Sequence, residues 1–177
     1  MMAVGSTLTE TNFVDIYRRL EKPLFNVVYR WLWNEQESAD VVQEAFLRAW
    51  RMRERIEPAT VDPLIYKIAL NLASNRRRAR RLWRLFSLDA VDAGGLAAPP
   101  TEQSLDRRRR EAAVRRAVEA LPEGLRHVVL LCAFSSMSYE QVAAILSIPP
   151  GTVGSRRNQA LKLLRKRLGS EEVSDAD

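Results

Sequence analysis

The chain has 177 residues, 46% of them apolar, and carries 28 Lys and Arg against 22 Asp and Glu, a net charge of +6. This much apolar material, with only 7 Gly and 8 Pro, excludes a disordered or low-complexity protein, and a single cysteine excludes a disulfide framework. The longest strictly apolar run, VVLLCAF at 128–134, is far short of the roughly 20 residues of a membrane span. The segment MMAVGSTLTE shows neither the basic nor the apolar region of a secretion signal. The expectation is a cytoplasmic, basic protein with no membrane insertion.

Charge is distributed in blocks. Residues 10–84 hold 15 basic and 10 acidic groups (net +5), and residues 107–170 hold 13 and 4 (net +9). Between them, 85–106 has four acidic groups and no basic one, with Gly94, Gly95, Pro99 and Pro100. That composition reads as a flexible linker. The tail EEVSDAD is again acidic, net −4. The expected organisation is therefore a domain at 10–84, a linker at 85–106, a second domain at 107–168 and an acidic tail at 169–177. Two basic domains on a tether suit a polyanionic partner.

Helical periodicity recurs along the chain and strand alternation does not, so the predicted fold is all-α, two small helical domains. Phe13, Ile16, Tyr17, Leu20, Leu24, Val27, Val28 and Trp31 form one apolar stripe, with a kink or a new start expected at Pro23. A second helix, capped by Ser38 or Asp40, turns Val42, Ala45, Phe46, Ala49 and Trp50 inward. A third starts at Asp62-Pro63 and buries Ile65, Ile68, Ala69 and Leu72. In the second half a helix runs from near Thr101 to Leu121, and another turns Leu125, Val128, Val129 and Cys132 inward. Ser138 opens SYEQ, a capping box, ahead of a short helix burying Tyr139, Val142, Ala143 and Leu146. After the turn SIPPG, a last helix spans about Thr152 to Arg167.

Signals of catalysis are lacking. His127 and Cys132 lie five residues apart on a predicted helix and do not share a face, so no metal site is expected; His127 reads as a helix-surface or packing residue and Cys132 as a small core hydrophobe. No glycine pattern makes a phosphate loop, and no nucleophile elbow occurs. No enzyme activity, catalytic residue or cofactor is expected.

The segment 138–167 instead has the layout of a DNA-reading helix-turn-helix. On a wheel of about 100° per residue, Val153, Ala160, Leu161, Leu164 and Leu168 of the last helix cluster on one side. Ser155, Asn158, Gln159, Lys162 and Lys166 lie opposite. Short polar groups near the N-terminus with lysines beyond suit base edges flanked by phosphates. A solvated amphipathic helix would account for the lysines but less well for the Ser/Asn/Gln cluster.

The motifs LPEGLRHV, SYEQVA and IPPGTVGSR within 121–168 are similar to region 4 of bacterial sigma factors of the extracytoplasmic-function (ECF) group. The resemblance implies that this helix-turn-helix reads the −35 promoter element, through Ser155, Arg156, Asn158, Gln159 and Lys162. Gly154, Arg157 and Gln159 depart from the usual pattern of charged residue, Leu or Ile, and Arg respectively. The departures bear on which −35 sequence is read.

DVVQEAFLRAW at 40–50 resembles region 2.2 of the same family. There, Leu47 points outward among Asp40, Gln43 and Glu44, an arrangement suited to docking a helix. The resemblance implies binding of the β′ clamp helices of RNA polymerase through these four residues, with the β flap a further expected contact. IYKIALNLASNRRRARR at 65–81 resembles regions 2.3 and 2.4. Its Lys67, Asn71, Ser74 and Arg78 line one face with Asn75 beside them, and the resemblance implies melting of the −10 element and capture of an unstacked base, with the loop 51–63 completing the pocket. Leu64 stands where the family usually has Trp. The linker resembles the region 3.2 connector directed toward the RNA exit path. An anti-sigma factor is a further implied partner. Two other readings remain open here: a stand-alone regulator that binds duplex DNA without polymerase, and a module that sequesters an anti-sigma factor.

Overall fold

The structure is a computed structural model describing the backbone of residues 8–86 and 102–174, and side chains within 8–83 and 107–169. Three helices form the first domain: α1 (Glu10–Leu32), α2 (Glu35–Arg51) and α3 (Val61–Phe86), with two short 3₁₀ turns at Arg53–Arg55 and Pro58–Thr60 before α3. Four form the second: α4 (Glu102–Glu119), α5 (Glu123–Phe134), α6 (Tyr139–Leu146) and α7 (Pro150–Ser174). The described residues contain no strand, as an all-α fold requires.

In the first domain the amphipathic faces of α1, α2 and α3 pack pairwise. Leu24, Val27, Val28, Val41, Ala45, Ile65, Tyr66 and Ala69 are fully buried there. Burying a Leu- or Val-sized side chain contributes about 1.5–3 kcal/mol, so this contiguous set outweighs any single polar contact on the surface. Thr9 caps α1, its Oγ1 accepting from the Asn12 N–H at 3.3 Å. The new start expected at Pro23 as an alternative to a kink does not occur: α1 runs continuously through the proline, and the packed stripe on either side outweighs the one backbone bond it removes. Tyr17 is more exposed than the stripe suggests, tilted on Phe46 at 4.7 Å.

Two start points also differ from expectation. Asn34, not Ser38 or Asp40, caps α2: its Oδ1 accepts from the Glu37 N–H at 2.8 Å. Ser38 is buried inside the helix, with Oγ donating to the Asn34 carbonyl. Helix α3 begins at Val61, because the 3₁₀ turn at Pro58 already directs the chain into it. The Asp62 carboxylate is consequently spent on Arg19 of α1, which donates to it through both Nη atoms, one at 2.9 Å. Arg19 holds its proton more tightly for that bond.

The second domain is built around α7, which packs on α4, α5 and α6. The capping box at Ser138 is present in full: Ser138 Oγ accepts from the Gln141 N–H at 3.3 Å, and Gln141 Oε1 accepts from the Ser138 N–H at 3.0 Å. Tyr139, expected inside, is exposed, since it occupies the first turn of α6 on the outer side; Ile145 takes the buried place and Leu146 is half-buried. Helix α7 starts at Pro150, two residues early, consistent with proline's fitness for a first helical turn. It continues to Ser174, so part of the expected acidic tail is helical. Likewise α3 and α4 extend into the ends of the expected linker; residues 87–101 lie outside the described residues.

Among the described residues, no helix is long and apolar enough to cross a membrane.

Candidate nucleic-acid and polymerase interfaces

On α7, Val153 and Ala160 are buried against the second domain, and Ser155, Asn158, Gln159 and Lys162 are exposed on the opposite side. The outward polar face expected from the wheel is therefore formed. Ser155 Oγ donates to the Thr152 carbonyl at 3.1 Å, which fixes its rotamer and leaves its lone pairs outward. Arg156 is half-buried and leans on the first turn of α5: a Cβ added at Gly124 would lie 3.3 Å from Arg156 Nη1. Glycine at 124 is what allows that approach. Arg157 is half-buried too, close enough to Cys132 to oppose the rise in thiol pKa that burial causes.

Helix α3 places Lys67, Asn71, Ser74 and Arg78 in one row with Asn75 beside it. The second domain lies along this row. Lys67 Nζ donates to Ser147 Oγ at 3.2 Å, and Arg78 stands 3.9 Å from Glu123. Ser74 is 6% exposed, with Oγ 3.5 Å from His127 Nε2. Asn71 and Asn75 remain exposed. Below the row, His127 stacks on Trp31 with ring centroids 4.1 Å apart and planes 5° from parallel. Burial in that stack pulls the His127 pKa down to about 4. His127 is thus a packing residue, but one that joins the two domains.

The arginine run 76–81 divides by role. Arg76 Nη1 donates to the Glu37 carbonyl at 2.9 Å. Arg80 binds the Glu37 carboxylate and donates to the Leu32 carbonyl at 3.2 Å, tying down the end of α1. Arg77 turns toward α4 and donates to the Glu119 carbonyl at 3.4 Å. Arg126 of α5, 6% exposed, donates to the carbonyls of Val118, Glu119 and Leu121 and so closes the end of α4. Its guanidinium also sits 5.1 Å from the Trp31 ring. None of these four arginines was singled out by the sequence reading. A carbonyl-capping arginine has no local signature, because its partners are set by a turn of chain it does not belong to.

On α2, Asp40, Gln43 and Leu47 are exposed and Glu44 is half-buried, so the four expected docking residues share the outer surface. Asp40 lies 3.7 Å from Arg76 and Glu44 accepts from Arg48 Nε at 2.6 Å, a bond that lowers the Glu44 pKa. Leu47 is 42% exposed. Tyr17, Phe25, Val42 and Gln43 help wall a groove of about 500 Å³ between α1 and α2. Among the described residues, no cluster of His, Cys, Asp and Glu could hold a metal ion.

A three-helix bundle with a basic and amide-bearing face, tied to a capped helix-turn-helix with an outward polar face, defines a two-domain all-α protein of the helix-turn-helix class. Residues 16–82 match the family model for sigma-70 region 2, and residues 104–164 match that for sigma-70, region 4. The chain belongs to the sigma-70 family, within its ECF group, and is a transcription initiation factor. It is 31% identical to the RNA polymerase sigma-H factor of Pseudomonas aeruginosa over 159 residues, 85% of this chain and 82% of that protein. It is 27% identical to the ECF RNA polymerase sigma factor SigE of Mycolicibacterium smegmatis over 175 residues, 98% and 68% of the two chains. Its fold is similar to that of the sigma factor RpoE from Bartonella quintana, solved in complex with the anti-sigma factor NepR, with a TM-score of 0.68 and 22% identity over 90% of this chain and 98% of that one.

Proposed function

We propose that the chain works in the cytoplasm, docks on the β′ clamp helices of core RNA polymerase through Asp40, Gln43, Glu44 and Leu47, and meets the β flap through its second domain. The face of Ser155, Arg156, Asn158, Gln159 and Lys162 reads −35 duplex, and Lys67, Asn71, Ser74, Asn75 and Arg78 melt and capture −10 DNA. The observation that carries this reading is the α7 face: three short polar side chains exposed over buried Val153 and Ala160, on a helix held by a complete capping box.

Melting costs base stacking. Binding the unpaired strand only after it opens offsets that cost and shifts the equilibrium toward the open form. Since Lys67, Ser74 and Arg78 are engaged by the second domain, the two domains separate before the −10 face acts. An anti-sigma factor that holds the domains together would keep the chain inactive. The solved RpoE relative bound to NepR supports assigning such a partner here.

The test is multi-round transcription with bacterial core polymerase on a promoter pool. Promoter-specific transcripts are expected only when the chain is added. Duplex binding without transcripts would instead indicate a stand-alone regulator.

A further inference from the structure

A cavity of about 300 Å³ opens where α1, α3 and α4 meet. Trp31, Arg77, Arg80 and Arg81 wall it from the first domain, Arg115 and Glu119 from the second. Four of these six side chains are cationic, against the carboxylates of Glu119 in the wall and of Glu37 behind Arg80, whose Oε2 is buried without a hydrogen-bond partner among the described residues. Glu119 accepts from Arg115 Nε at 3.2 Å and Glu37 is held by Arg80. Two buried donors, Arg77 Nη1 and Trp31 Nε1, have no hydrogen-bond partner among the described residues. Among the described residues Arg77 makes one hydrogen bond, at 3.4 Å to the Glu119 carbonyl, and lies 5.6 Å from the Trp31 ring; burial works against its charge. Arg81 stands exposed at the rim, with no ion pair among the described residues.

A buried guanidinium N–H without an acceptor is costly, and native structures resolve such groups with a partner. A neutral acceptor would satisfy one donor and leave the charge. An anion with several oxygens answers the unpaired donors and the charge at once, and guanidinium forks match phosphate oxygens in particular.

We propose that this cavity binds a diphosphate group, free or carried by a nucleotide, and that its occupancy holds the two domains closed. Its walls come from both domains, so the ligand binds the closed arrangement better than the open one and shifts the population by that difference. The consequence for transcription rests on the −10 reading of α3 given above; the binding itself does not.

The test uses the full chain without DNA or polymerase. Calorimetric titration with inorganic pyrophosphate, and in a second arm with ADP, is run at constant ionic strength. Fluorophores at Asn12→Cys and Lys166→Cys, in a Cys132→Ser background, report the distance between domains. Saturable binding is expected, weakened at least tenfold by Arg81→Gln with Arg115→Gln and unchanged by the remote Arg18→Gln, with energy transfer rising as ligand is added. Equal affinity in the two arms assigns free diphosphate, and tenfold tighter ADP binding assigns a nucleotide. No binding in either arm, an unaffected double variant or a flat transfer signal overturns the proposal. So does a double variant that loses only duplex DNA binding, because the arginines then serve the DNA backbone. Promoter-specific transcription measured separately without pyrophosphate tells a failure of this site from a failure of the sigma-factor assignment.

Discussion

Gln159 and Asn71 carry the sharpest residue-level predictions, since both are exposed on their proposed reading faces. Gln159→Ala should relax preference at one −35 position by about 1–3 kcal/mol, the worth of a good base contact, measured on a randomised −35 library. An unchanged preference would refute the assignment. Asn71→Ala should leave duplex binding near wild type and reduce permanganate reactivity of −10 thymines; normal reactivity would sink the capture role.

His127 gives a pH dependence whose sign follows from its surroundings. Trp31 covers one ring face, Ser74, Arg77 and Arg78 of α3 adjoin it, and Glu123 of its own helix is the one group favouring its proton. In the closed arrangement its pKa is about 4; freed, it returns to about 6.5. Above pH 6.5 the ring is neutral in both arrangements and closure keeps its full strength. Between 6.5 and 4 the open form binds the proton first, and closure loses up to about 3 kcal/mol. Small-angle scattering should therefore show the chain expanding as pH falls through this window, and His127→Phe should abolish the trend. Expansion on raising the pH would contradict the stack.

At the scale of the element, short-range chemistry was the legible part. The Ser138 capping box could be read because its two bonds close within four residues. Ser138→Ala should cost about 1 kcal/mol, a fall in Tm of about 2–4 °C by calorimetry, with no change in the exposed residues of α7. Full retention of Tm would mean that the cap does not limit stability. The Asn34 cap was missed because Ser38 and Asp40 compete with it as local acceptors, and only the packing of α1 on α2 decides which residue stands at the turn. The new start expected at Pro23 failed for a related reason: the cost of one backbone bond is visible in the sequence, but the buried stripe that outweighs it, Leu20, Leu24, Val27 and Val28, acts through partners on other helices. Tyr139 shows the limit of periodicity in a helix of eight residues, where the first turn lies outside the packed face.

At the scale of the whole molecule, family and domain order were legible from motifs, and the mutual placement of the domains was not. Trp31 read as core, and holds; His127 read as a helix-surface or packing residue, of which packing is the one found, but nothing local says that each is the other's partner across 96 positions. The same gap hid the arginines that line the junction. Closure itself can be tested across the contact of Arg30 with Phe134, 3.9 Å from guanidinium to ring centroid, with Arg30→Cys and Phe134→Cys in a Cys132→Ser background, bridged by a reducible bismaleimide. The bridged chain should lose promoter-specific transcription and regain it on reduction. Transcription at full rate while bridged would show that the domains need not part.

The internal use of arginines also changes how the chain's charge counts toward DNA. Arg76 and Arg80 spend their donors on Glu37 and on the end of α1, and Arg126 on the end of α4. Each is a cation in the composition, yet each is withheld from the counterion exchange that drives association with a polyelectrolyte. Every phosphate left uncontacted makes the dependence of log affinity on log salt shallower by about 0.9. The measured salt slope should therefore count fewer phosphates than the basic runs advertise, and replacing Arg76 or Arg80 should lower the folding stability of the first domain while leaving that slope where it was.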